Sequence, residues 1–163
     1  MTKQMKVKCE KIARECGADL TWVKGTGYGY YIPGTNKIHV ARRGSDKMIA
    51  CIFSHELGHY KNYLSGKYYK YHHLKGKQFL KTFKTKDAVV RYSLKAEIYT
   101  DKVGKKLCAK YFPNVVYKGS YKMNQDFYDM MYNKYFGGYY IIVVGDAVFI
   151  QKEEPLEIIF DIF

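Results

Sequence analysis

The sequence contains no run of 18 consecutive apolar residues, and so offers no candidate for a membrane-spanning helix. Met1-Thr2-Lys3-Gln4-Met5-Lys6 leads into a mixed charged segment without the apolar stretch of a secretory leader, so a cytoplasmic location is expected. The four cysteines, Cys9, Cys16, Cys51 and Cys108, include no CxxC pair. That argues against a cysteine-ligated metal and predicts free thiols in a reducing compartment. Internal repeats and low-complexity linkers are also lacking. A chain of 163 residues with 47% hydrophobic content is then expected to form one domain with its own core.

Acidic residues are scarce, 15 against 28 lysines and arginines, for a formal net charge of +13. An excess of this size suggests an anionic partner such as nucleic acid, an acidic substrate or a membrane surface. Abundant lysine and tyrosine would equally follow from an AT-rich coding sequence. The imbalance is uneven: no Asp or Glu occurs from position 57 to 86, a stretch holding Lys61, Lys67, Lys70, Lys75, Lys77, Lys81, Lys84 and Lys86. The C-terminus runs the other way, with Glu153, Glu154, Glu157 and Asp161 among apolar residues. Its last stretch, from Pro155, is too apolar for a free tail and is expected to pack on the domain or dock a partner.

Periodicity predicts an α+β fold. Met5, Val7, Ile12, Ala13 and Cys16 mark a first helix over 3–16, stopped by Gly17. Leu20 to Val23 opens a β-region, Tyr28, Tyr30 and Ile32 alternate, and Pro33-Gly34-Thr35-Asn36 turns the chain into a strand over Lys37 to Ala41. This predicts a small antiparallel sheet, with an edge that an extended peptide can join. A second helix follows Ser45-Asp46, a plausible N-cap. Met48, Ile49, Ile52, Phe53, Leu57 and Tyr60 form its apolar stripe, and it ends near Gly66. A third is expected from about Asp87 to Tyr111, stopped by Pro113-Asn114, with Val90, Leu94, Ile98, Val103 and Leu107 on its apolar face. A short helix over 124–136 and a hairpin of Tyr139–Val144 with Ala147–Gln151, turned at Gly145-Asp146, complete the pattern.

The second helix carries His55-Glu56-Leu57-Gly58-His59, an HExxH motif. Residues four apart on a helix differ by about 40° around the axis, so both imidazoles leave one face and can ligate one Zn²⁺. Glu56 stands beside the first ligand, where it can take a proton from water rather than bind the metal. A catalytic zinc commonly uses three protein ligands. The extended HExxHxxGxxH pattern fails, because position 62 is Asn and position 65 is Ser. Glu97, on the third helix, is the leading candidate. Asp101 lies four residues on, able to accept a hydrogen bond from the far nitrogen of a ligand histidine, and Gly104 would let two helices approach closely. The competing reading of Glu97 and Asp101 is an exposed acidic face on a lysine-rich helix.

Glu97-Ile98-Tyr99-Thr100-Asp101-Lys102-Val103-Gly104 resembles the ExxxD or E-x-E-A-D-x-x-G helix of gluzincin metallopeptidases, departing from it at Tyr99 and Thr100. Over roughly residues 5–111 the layout looks most like the small ImmA/IrrE-type peptidases of phages, mobile elements and bacterial regulators. The resemblance implies a zincin-like domain holding one catalytic Zn²⁺ through His55, His59 and Glu97. It also implies a regulatory protein substrate, such as a DNA-bound repressor, and leaves the extension 112–163 without a role. A rival third ligand is His72 or His73, in a segment similar to SprT-like DNA-associated proteases. There Lys67, Lys70, Lys75 and Lys77 would contact nucleic acid. A catalytically weak or inactive zincin-fold module for binding or regulation is the alternative from a different class. Tyr60 and Tyr63 are near enough in sequence to be considered as donors to an oxyanion.

Overall fold

A computed structural model describes residues 1–66, 83, 85–119, 129, 139–144 and 147–152. The chain opens with helix α1 (Lys3–Glu15) and strands β1 (Asp19–Thr26), β2 (Gly29–Tyr31) and β3 (Lys37–Arg43). Helices α2 (Asp46–Ser65) and α3 (Lys86–Tyr111) follow, then β4 (Tyr139–Val144) and β5 (Ala147–Lys152), which pair antiparallel with each other. The architecture is α+β, three helices with a small three-stranded mixed sheet among the described residues. None of the described helices is long and apolar enough to cross a membrane. The 124–136 segment apart from Asp129, the turn at Gly145-Asp146 and the apolar C-terminus lie outside the described residues.

Helices α1, α2 and α3 each start on a side-chain cap. Thr2, Ser45 and Thr85 accept hydrogen bonds from the backbone N–H of Met5, Met48 and Ala88, satisfying donors that the first turn leaves without partners. Two of these caps are coupled, since the Thr2 N–H and hydroxyl both donate to Asp46 at 2.7 Å. These two bonds hold the Asp46 carboxyl below its ordinary 3.8. A depressed folded pKa contributes stability present above the unfolded value and lost as pH falls through the folded one. Acid unfolding of Asp46→Asn should therefore show a weaker pH dependence below about pH 4 than the parent. An unchanged slope would dismiss the linkage.

The sheet departs from the antiparallel expectation. Its order is β1-β3-β2: β2 pairs antiparallel with β3 through the Pro33–Asn36 turn, but β1 pairs with β3 in parallel, Leu20 opposite Ile38 and Trp22 opposite Val40. Alternation reports which residues face the core, whereas strand order depends on contacts made across the chain. β1 therefore does not fold back onto β2. The chain crosses to the far side of β3's position and β3 returns between them.

The inner face of the sheet packs on α1 and α2. Ile38, Val40, Cys9, Ile12, Ile49, Phe53 and Leu57 are essentially removed from solvent, with Leu20 and Trp22 packed against them. Trp22 Nε1 donates to Glu10 Oε1 at 2.9 Å, tying β1 to α1. Phe112, which caps α3, meets Phe53 edge-on at 6.2 Å. Val7 and Met48, placed on apolar stripes by periodicity, are exposed.

Candidate metal centre

Two glycines set the distance between α2 and α3. A Cβ on Gly58 would stand 2.8 Å from the Thr100 carbonyl oxygen and 3.1 Å from the Gly104 nitrogen. One on Gly104 would stand 3.0 Å from the Ser54 carbonyl oxygen and 3.1 Å from the His55 Cα. Backbone meets backbone here, and only residues without side chains allow it. This close approach, expected for Gly104, brings the Glu97 side of α3 onto the histidine face of α2.

There the three candidate ligands converge. Glu97 Oε2 lies 3.3 Å from His55 Nε2 and 3.4 Å from His59 Nε2. One ligand atom from each of the three residues falls within 4.8 Å of the other two. The imidazoles stand at 88° to each other with centroids 4.7 Å apart. A tetrahedral zinc with nitrogen and oxygen ligands at about 2.0–2.1 Å needs ligand atoms separated by roughly 3.3 Å. The two nitrogen–oxygen spacings fit such an ion, and the donor set is one that zinc accepts. It is the single group of three or more potential ligands of this kind among the described residues.

The electrostatics favour positive charge at this point. Burial opposes a charged His55, but the carboxylates of Asp101 and Glu97, with Glu56 contributing, outweigh it and push its pKa up to about 10. Burial likewise opposes an ionised Glu97, yet His59 and His55 hold its carboxyl well below the ordinary range. Three carboxylates thus gather around two imidazoles in a protein that is otherwise strongly basic. Glu56 is itself buried, and β2 lies against it. A Cβ on Gly29 would be 2.8 Å from Glu56 Cγ and 2.7 Å from Ile52 Cγ2.

The far nitrogen of each histidine also has a partner. Asp101 Oδ1 is 3.8 Å from His55 Nδ1, an ion-pair distance longer than a hydrogen bond. The closer contact is Tyr117, whose Oη lies 3.4 Å from His55 Nδ1 and donates to Asp101 Oδ1 at 2.8 Å. Asp101 therefore orients His55 largely through a tyrosine. On the other histidine, Thr100 Oγ1 lies 3.3 Å from Nδ1 of His59 and accepts from Asn62 Nδ2 at 3.2 Å. Were Nε2 to ligate a metal, Nδ1 of His59 would carry the proton and donate to Thr100.

Sequence reasoning missed both of these residues. Thr100 entered only as a departure from the gluzincin pattern, and Tyr117 lies in the extension left without a role. The one available signal for Thr100 was its spacing, three residues after Glu97 on the same helical face. Tyr117 carried none. Thr100→Val keeps the volume but removes the hydroxyl, so zinc affinity should fall about 10–100-fold in a chelator competition titration. Equal affinity in parent and variant would remove Thr100 from the site.

Tyr60 Oη donates to the Gly17 carbonyl at 3.0 Å and is committed to the α1–β1 turn. Tyr63 packs against Tyr31, which also stacks on His59 at 6.4 Å. Lys61, first of the basic run, reaches the Cys16 carbonyl at the end of α1, 3.4 Å away. His72, His73, Lys67, Lys70, Lys75 and Lys77 lie outside the described residues. Comparison of the chain with protein-family models, curated proteins and solved structures finds no match.

Proposed function

We propose that this chain is a zinc-dependent endopeptidase with a gluzincin-like, zincin-type arrangement, to which the C-terminal hairpin is appended. The observation that carries the reading is the placement of Glu97 Oε2 3.3 Å from His55 Nε2 and 3.4 Å from His59 Nε2, beside Glu56. His55, His59 and Glu97 would hold the ion. When bound, zinc polarises a carbonyl and lowers the pKa of a water toward about 7.

The remaining work belongs to the chain's own groups. Glu56 takes the proton of the attacking water and returns it to the leaving amine. Tyr117 with Asp101, and Thr100 with Asn62, keep the imidazoles in the tautomer that points Nε2 at the ion. β2 is an edge strand beside Glu56, and among the described residues no strand pairs with its outer side. An extended substrate segment added along that edge would pass close to the base. The substrate is a specific protein, regulatory or DNA-associated, a choice that rests on the resemblance of the motifs alone.

Zinc content measured by plasma mass spectrometry tests the ligand set. About one zinc per chain is expected in the parent and in His72→Ala and His73→Ala. Glu97→Ala and His59→Ala should lose it. Retention by Glu97→Ala with loss in a His72 or His73 variant would transfer the third-ligand role to the SprT-like alternative.

A further inference from the structure

The proposed peptidase site uses none of the four cysteines, all of which are free thiols. Two of them occupy facing positions beside it. Asn62 contacts Thr100, Gly58 contacts Thr100 and Gly104, and Ser54 contacts Gly104, so α2 and α3 run antiparallel. One turn before His55 on α2 is Cys51, and one turn after Gly104 on α3 is Cys108. The antiparallel register thus sets the fully buried Cys108 opposite the half-buried Cys51 across the α2–α3 contact. Cys9 and Cys16 are occupied elsewhere, against Met5 and Tyr111.

Cys51 also contacts the segment that carries Tyr117. Its Sγ donates to the Val116 carbonyl at 3.8 Å and accepts from the Lys118 N–H at 3.5 Å. The two contacts flank Tyr117 on either side, and Tyr117 in turn holds Asp101 and His55.

We propose that Cys51 and Cys108 are a modification site, forming a reversible disulfide that locks α2 to α3 and releases the 116–118 segment. The oxidant is a small-molecule disulfide. The half-exposed Cys51 thiolate attacks one of its sulfurs, forming a mixed disulfide and expelling one thiol. Cys108 then attacks the Cys51 sulfur and expels the second thiol. Two protein thiols are oxidised by two electrons, the small disulfide is reduced to two thiols, and the two protein protons end on those thiols. A disulfide sulfur carries no hydrogen, so the bond donated to Val116 is lost. Cys51 must also turn toward Cys108, away from the Lys118 amide. This proposal does not depend on peptidase activity.

The test equilibrates the full chain with oxidised and reduced glutathione, blocks free thiols by alkylation, and maps linked peptides without reduction. One linkage, Cys51 to Cys108, is expected, with Cys9 and Cys16 alkylated and the link absent from Cys51→Ser and Cys108→Ala. A glutathione adduct on Cys51 without the link, or a link through Cys9 or Cys16, overturns the pairing. Hydrogen exchange of amides 115–119 should be several-fold faster in the oxidised protein. Unchanged protection overturns the release of the Tyr117 segment.

Discussion

Glu56→Gln is expected to retain about one zinc per chain while peptidase activity on a cleavable protein or peptide falls by about 10²–10⁴-fold, the usual contribution of a positioned proton acceptor. Glutamine keeps the shape of the side chain beside Gly29, so β2 has no reason to move. It cannot accept the proton of water and carry it to the leaving nitrogen. The three ligand atoms belong to other residues, which is why metal content and activity should separate. Full activity in the zinc-loaded variant would sink the assignment of Glu56 as base. Loss of zinc together with activity would instead make Glu56 part of the ion's support.

Gly58→Ala should destabilise the fold by up to about 2 kcal/mol, with a fall in zinc affinity. The sign is the informative part. In an unobstructed helix, glycine to alanine gains about 1 kcal/mol. Here the new methyl meets the Thr100 carbonyl oxygen at 2.8 Å and the Gly104 nitrogen and Cα at 3.1 and 3.4 Å, all of them backbone. No rotamer change relieves that contact, so α2 and α3 must separate, at the overpacking cost of about 1–3 kcal/mol. Separation also moves Glu97 away from both imidazoles. Urea unfolding midpoints at equal slope give the stability, and chelator competition gives the affinity. A stabilised variant would show that the helices are not held at glycine contact.

Much of the fold was legible locally. The first helix, expected over 3–16, runs Lys3–Glu15, and the third, expected from about Asp87 to Tyr111, runs Lys86–Tyr111. Ser45 caps α2 as its position suggested. These features rest on neighbours within four residues. The exposed Met48 and Val7 mark the limit of periodicity, since a stripe shows which side is apolar but not how far the neighbouring element extends over it. The parallel pairing of β1 with β3 was not legible, because strand order is a relation between segments that no local pattern encodes.

The candidate site divides along the same line. His55, Glu56 and His59 share a helix, and Glu97, Asp101 and Gly104 share another, so the helical repeat alone assembles each half of the constellation. Sequence by itself determined which side chains could act together within each helix. Tertiary structure decided that the two halves meet at 3.3–3.4 Å, through the glycine contact of α2 and α3. It also decided that Tyr117, from beyond α3, completes the support of His55, and that Thr100 holds His59. The physical reason is that covalent geometry and helical repeat reach only a few residues. The approach of two helices and the return of the 112–119 segment depend on packing between distant parts of the chain.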